Sequence, residues 1–310
     1  MRPLLSIRAD FSAATVEKVE RLLEVLAALA DDPLLRSVFV LHGGTALNVF
    51  SDEVLRLSVD IDLMYVGEAD VTAMQAARPA VDKRLREVLG KLGYTVRGTN
   101  DEHSGQTYRL RYGDEYLKVD VSYLARVPML EPQTRTCSIC APAVSFTVLD
   151  PRELLAGKVK ALMERVAGRD LYDLARIAAA APRALDDVLT RALVLRAIST
   201  ADSFPALQDP VAALSKFADP SAELIESLRF VLPADQTPDF SDLRDRVAEF
   251  LSPCSVPDGA EREYLRLLSE DSEYRPELLL SSWSDVLARA KIDPVMRWKV
   301  QNLHKRAEVV

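Results

Sequence analysis

Two aspartates one residue apart, Asp60 and Asp62, follow a glycine pair, Gly43-Gly44. From Arg56 polar and apolar residues alternate. Ser58, Asp60 and Asp62 share one face, and Val59, Ile61 and Leu63 share the other, the period of a strand. Strand side chains two apart lie about 6.5–7 Å apart on one face, so both carboxylates can grip one Mg²⁺ or a closely spaced pair. Two carboxylates aimed at one point repel each other unless a cation joins them. The glycine pair adds a second device. Ser37 to Leu41 reads as a short buried strand that Gly43-Gly44 breaks, and Thr45 to Phe50 as a short helix. The first turn of such a helix presents free N–H groups and a positive dipole end, a seat for phosphate. Phosphate seat and metal seat together imply nucleotide chemistry. The plainer alternative is an edge strand with two solvated aspartates.

The elements around these residues bring further candidates. Residues 12–30 carry Val16, Val19, Leu22, Leu23, Leu26 and Leu29 at helical spacing. Val71 to Leu92 reads as another helix, with Gly93 as its stop. Segments 106–112 and 116–123 form a hairpin around Gly113-Asp114-Glu115. In its second strand Lys118, Asp120 and Ser122 share a face opposite Leu117, Val119 and Val121. Asp120 is a third candidate carboxylate if this strand neighbours the one bearing Asp60 and Asp62. At Asp150-Pro151-Arg152-Glu153 a strong helix start appears. Downstream the chain reads as helix, broken near Pro182, Pro205, Pro220, Pro233, Pro253 and Pro294. The fold class is therefore α+β: residues 1–149 form a small mixed sheet flanked by helices, and residues 150–310 a helical domain.

Within the helix from Pro151, Lys158 falls inside the apolar stripe and Lys160 points away. A lysine on a buried stripe finds an anion, loses its charge, or snorkels to the surface. The next helix pairs Asp170 and Asp173 on one face.

With 310 residues, 48% hydrophobic and 28% charged, the chain has the composition of a globular protein. Its apolar runs are too short to span a bilayer, and its N-terminal stretch lacks a signal-peptide core. Three cysteines fit a cytoplasmic protein with reduced thiols. Cys137 and Cys140 form a lone C-x-x-C, and His42 and His103 show no zinc spacing. A net charge of −8 argues against broad nucleic-acid binding. Local basic clusters remain at Arg152, Lys158, Lys160, Arg165, Arg169 and Arg176, and at Arg289, Lys291, Arg297, Lys299, Lys305 and Arg306. Either could hold a polyanion, though for the second cluster a solvated helix face is at least as good a reading.

The stretch G-G-T-A-L followed by R-x-S-x-D-I-D-L resembles the signature of polymerase-β-like nucleotidyltransferases. In this longer form it looks like the AbiEii/MenT branch, the nucleotidyltransferase toxins of bacterial toxin–antitoxin and phage-defence systems. Two later segments, L-L-A-G-K-V-K-A-L-M-E-R and R-D-L-Y-D-L, look like later motifs of the same family. The motifs cover residues 43–176 in the family's order, and beyond about 180 none is recognised.

The resemblance implies that a nucleoside triphosphate docks near Gly43, Gly44, Thr45 and Ser58. It implies two Mg²⁺ ions about 3.5–4 Å apart on Asp60, Asp62 and Asp120, with Lys158 neutralising the triphosphate. It also implies an essential aspartate, Asp170 or Asp173, both contained in the RDxxD segment. The helical half would close the nucleotide cleft and contact an RNA acceptor, foremost the 3′ end of tRNA, and a cognate antitoxin would restrain the protein. The competing readings are transfer to a protein or small-molecule hydroxyl, and a non-catalytic nucleotide-binding interaction module. The retained Asp60/Asp62 pair counts against the last.

Overall fold

The structure, a computed structural model, describes residues 2–51, 56–102 and 104–307. His103 lies outside them. The chain divides into two compact units, Met1–Asp150 with Phe230–Gln236 and Pro151–Arg229 with Thr237–Val310. The sequence reading set one boundary at 149 and did not foresee the return of 230–236.

The first unit holds strands β1 (Leu4–Leu5), β2 (Phe39–His42), β3 (Asp60–Tyr65), β4 (Thr95–Glu102), β5 (Gly105–Tyr112), β6 (Glu115–Ser122), β7 (Gln133–Thr136), β8 (Cys140–Ala141) and β9 (Ser145–Val148). Helices α1 (Ala13–Asp31), α2 (Pro33–Val38), α3 (Gly43–Val49) and α4 (Val71–Lys91) accompany them. A mixed sheet runs in the order β4-β5-β6-β3-β2-β9-β7, and β1 pairs separately with β8. β3 is central, parallel to β6 and antiparallel to β2.

Local chemistry explains where these elements begin. Ser12 caps α1 by accepting from the Thr15 N–H at 3.2 Å, and the six expected core residues of α1 are each 2% exposed or less. Fully burying such side chains contributes roughly 1.5–3 kcal/mol apiece. Ser37 and Val38, expected in a strand, instead close α2. Asp32 caps that helix, accepting from Leu34 and Leu35 N–H at 3.2 and 3.0 Å, and Pro33 fills the first position, where its missing N–H costs nothing.

α3 begins at Gly43, ahead of the expected Thr45. The strand expected from Arg56 starts only at Asp60, and both Leu57 and Ser58 are buried. The Leu57 N–H bonds to the carbonyl of Val231 at 2.8 Å, so the returning segment holds this stretch. The same segment receives the Thr15 hydroxyl at the Phe230 carbonyl (2.8 Å) and donates from the Ala234 N–H to Asp10 (2.8 Å).

The hairpin forms with a tighter turn than expected: Glu115 joins the second strand opposite Tyr112, leaving Gly113, at φ 56°, and Asp114 as the turn. α4 ends where expected, before Gly93 at φ 86°. Asp82 on α4 ties that helix to the sheet by accepting from Tyr108 (2.7 Å) and Tyr123 (2.5 Å). Burial pushes both phenol pKa values up, and the carboxylate acceptor adds to the shift, so both hydroxyls remain donors.

The second unit consists of helices α5 (Pro151–Glu164), α6 (Gly168–Ala180), α7 (Val188–Thr200), α8 (Ala222–Arg229), α9 (Phe240–Ser255), α10 (Gly259–Glu270), α11 (Glu277–Leu280), α12 (Ser284–Ile292) and α13 (Pro294–Ala307), with short 3₁₀ turns between some of them. α7 is buried almost all round, the mark of a central helix. Pro253, expected to break a helix, lies inside the last turns of α9. No helix among the described residues is long and apolar enough to cross a membrane.

Removing the shared acceptor should loosen the α4–sheet contact. Asp82→Ala is expected to lower stability by roughly 1–3 kcal/mol, because the buried Tyr123 hydroxyl loses its partner. Asp82→Asn, which keeps an acceptor oxygen, should cost less. Urea denaturation with an unchanged m-value is the check.

Candidate active site

The β3–β6 register decides which side chains meet. Asp62 lies opposite Asp120, and Asp60 opposite Lys118. On the next strand, β5, Thr107 lies opposite Asp120 and Arg109 opposite Lys118. Period-2 alternation therefore puts Asp60, Asp62, Lys118, Asp120, Thr107 and Arg109 on one face. Beneath them Ile61, Leu63, Leu117, Val119 and Val121 are buried. The three carboxylates are half-buried.

Asp120 is fully engaged. Its Oδ1 accepts from the Thr107 hydroxyl at 2.6 Å, and its Oδ2 meets the Lys118 ammonium at 2.5 Å. Burial works against the Lys118 charge, yet Asp120 and then Asp60 and Asp62 outweigh it and raise the lysine pKa. The Arg109 guanidinium lies over the Tyr116 ring, 5.2 Å from its centroid. Neither Lys118 nor Thr107 was assigned a role from sequence. The signal for Lys118 was its spacing, two residues before Asp120 on the same strand face.

Gly43 and Gly44 stand at the same end of β3. Gly43 has φ 69°, and a Cβ there would lie 2.2 Å from Asp62 Oδ2. The glycine is needed twice over, for its backbone and for the approach of that carboxylate. A Cβ on Gly44 would come 2.7 Å from Ser58 Oγ and 3.2 Å from an Arg56 guanidinium nitrogen. Arg56 is buried, with Nη1 donating to the Leu57 carbonyl at 2.7 Å. A buried cation thus flanks the expected phosphate seat, a feature that sequence reasoning left unassigned. The Thr45 hydroxyl is turned to the protein and donates to the Asp60 carbonyl at 2.5 Å, pinning α3 to β3.

The second group lies wholly in the helical unit. Lys158 is buried, as its place on the apolar stripe predicts. Its Nζ meets Asp170 Oδ1 at 3.0 Å and Asp173 Oδ2 at 2.7 Å. The anion this lysine requires therefore comes from α6 of its own unit, where sequence reasoning looked to a triphosphate. Arg165 adds two bonds to Asp170, at 2.7 and 3.1 Å. Burial alone would raise the Asp170 pKa, but Lys158 and Arg165 outweigh it and hold the carboxyl below its ordinary range. Lys160 is half-exposed and pairs with Glu164 at 3.3 Å.

These pairings also trim the basic clusters. Lys158, Lys160 and Arg165 are each committed to a carboxylate. In the other cluster, Lys299 is buried and donates to the carbonyls of Ala201 and Phe204 at 2.5 and 2.9 Å. The side chain of Arg306 lies outside the described residues.

The donor set of the sheet face suits a divalent cation chemically, since carboxylate oxygens on one face are hard ligands. Among the described residues no three His, Cys, Asp or Glu side chains are arranged as they stand to hold a metal. Asp120 already carries an ammonium on one oxygen and a hydroxyl on the other. The spot is one where positive charge is already bound.

A family model described as "Nucleotidyl transferase AbiEii toxin, Type IV TA system" matches residues 24–267. Among solved structures, the nucleotidyltransferase toxin MenT4 of Mycobacterium tuberculosis H37Rv is similar with a TM-score of 0.63. The match covers 91% of this chain and 96% of MenT4 at 17% identity, a likeness of fold. A search among curated proteins found no match.

Two outcomes follow from the buried ion pairs of the helical unit. Lys158→Ala should cost about 3–5 kcal/mol, since it removes the ammonium shared by two buried carboxylates, whereas Lys160→Ala should cost well under about 1 kcal/mol. Chemical denaturation of both variants measures the difference. A depressed Asp170 pKa contributes stability that is complete above the unfolded value of about 3.9 and fades as pH falls through the folded value. Acid unfolding followed by circular dichroism should therefore steepen below about pH 4, and Asp170→Asn should flatten that part of the curve.

Proposed function

This chain belongs to the AbiEii family of nucleotidyltransferase toxins of type IV toxin–antitoxin systems, and from that premise we propose that it transfers a nucleotide from a nucleoside triphosphate to RNA, foremost the 3′ end of tRNA. The observation that carries the reading is the placement of Asp60, Asp62 and Asp120 on one face of two parallel neighbours, beside a glycine turn. Asp60, Asp62 and Asp120 would hold Mg²⁺. Bound there, the metal would lower the pKa of the attacking hydroxyl and take up charge on the departing pyrophosphate.

The chain's own groups do the rest. Gly43 and Gly44 keep the turn free of side chains, so phosphate oxygens can approach the backbone N–H groups of Gly44 and Thr45. Ser58 Oγ and the buried Arg56 guanidinium flank Gly44 and add a donor and a positive charge. Lys158, with Asp170 and Asp173, forms the second group assigned to the reaction. Two carboxylates fix its ammonium, so its part is electrostatic and not covalent. Asp170 and Asp173 both orient it, so the essential aspartate is one of these two. Blocking the 3′ end of tRNA would stop aminoacylation and arrest growth. The family also implies an antitoxin partner that restrains this activity.

The test incubates the protein with labelled nucleoside triphosphates, Mg²⁺ and total RNA. Label should enter tRNA, and Asp60→Ala and Asp62→Ala should each abolish transfer at near wild-type melting temperature. Full activity in either variant would sink the mechanism. Label in a protein or small molecule, with tRNA 3′ ends unchanged, would reject the RNA acceptor while leaving nucleotidyl transfer standing.

A further inference from the structure

Lys118 has no part in the reaction just described, yet it sits at its centre. It lies opposite Asp60, shares a strand face with Asp120, and is raised in pKa by Asp120, Asp60 and Asp62 together. Across β5 its register partner is Arg109, whose guanidinium lies over Tyr116. The ammonium takes one oxygen of Asp120, and Thr107 takes the other. In this arrangement Lys118 competes with a divalent ion for the charge of Asp120.

We propose that Lys118 is a resident counter-cation: in the nucleotide-free protein it holds Asp120, so the carboxylate face accepts one divalent ion through Asp60 and Asp62, and a second only when a triphosphate draws the ammonium away. The inference rests on the reading of these aspartates as a metal seat. The ion pair itself supports it: Lys118 and a divalent ion compete for the same carboxylate, and phosphate charge arriving with a nucleotide offers the ammonium another partner. Lys118 is therefore a positioning residue, acting through Asp120. Its half-exposed stem leaves it free to turn toward another anion.

Metal-stripped, full-length protein titrated with Mn²⁺, with free ion followed by electron paramagnetic resonance, reads this directly. Wild type should bind one Mn²⁺ per chain without nucleotide and two with a non-hydrolysable triphosphate. Lys118→Met should bind two without nucleotide, the first about tenfold tighter or more because a repelling charge has gone. Lys118→Arg should restore the wild-type pattern, and Lys118→Gln replaces the methionine variant if that one loses its fold. Unchanged stoichiometry and affinity in the neutral variant would overturn the role of Lys118 and leave the metal seat intact. No Mn²⁺ binding by any of the folded proteins would overturn the metal seat itself.

Discussion

The parallel pairing of β3 with β6 is the constraint on which the rest depends. It aligns Asp62 with Asp120 and Asp60 with Lys118, although each pair stands 58 positions apart in sequence (120 less 62, and 118 less 60). A slip of one residue would send these groups to the opposite face and bring Ile61 and Val119 out of the core. The buried aliphatic layer beneath therefore fixes the register, and the register fixes the charge pattern above. Gly43 is bound to the same constraint, because the Asp62 carboxylate lies against its Cα.

Each unit resolves carboxylate crowding with a lysine, in opposite settings. Lys158 is dry and tied to two buried aspartates, so its position is set by packing. Lys118 is half-exposed and tied to one oxygen of Asp120, so its position is set by whatever charge stands nearby. A buried pair is costly to break, and a solvated one is held weakly. One lysine is a fixture and the other is exchangeable.

Much of this was legible in the chain. Alternation alone marked the face of Asp60 and Asp62, and the same period marked Asp120. Helical spacing separated Lys158 from Lys160. What escaped depended on local capping or on distant segments. Asp32-Pro33 drew Ser37 and Val38 into α2 against their strand propensity. β4 carries Gly98 among polar residues, and β7, β8 and β9 are too short to show a period. That Asp170 and Asp173 would both meet Lys158 depends on how α5 and α6 dock, which spacing within either helix does not encode.

The segment Phe230–Gln236 makes the two halves of the chain mutually dependent. It supplies the carbonyls that accept from Thr15 and Leu57 and the N–H that donates to Asp10, all groups of the sheet-bearing unit. A gene fragment ending at Asp150 would lack those partners, and a graft of the helical region onto another sheet would carry a stray piece of the first. Recombination at the obvious seam is thereby penalised. The sheet-bearing half and the helical half are inherited as one unit, whatever each contributes to the reaction.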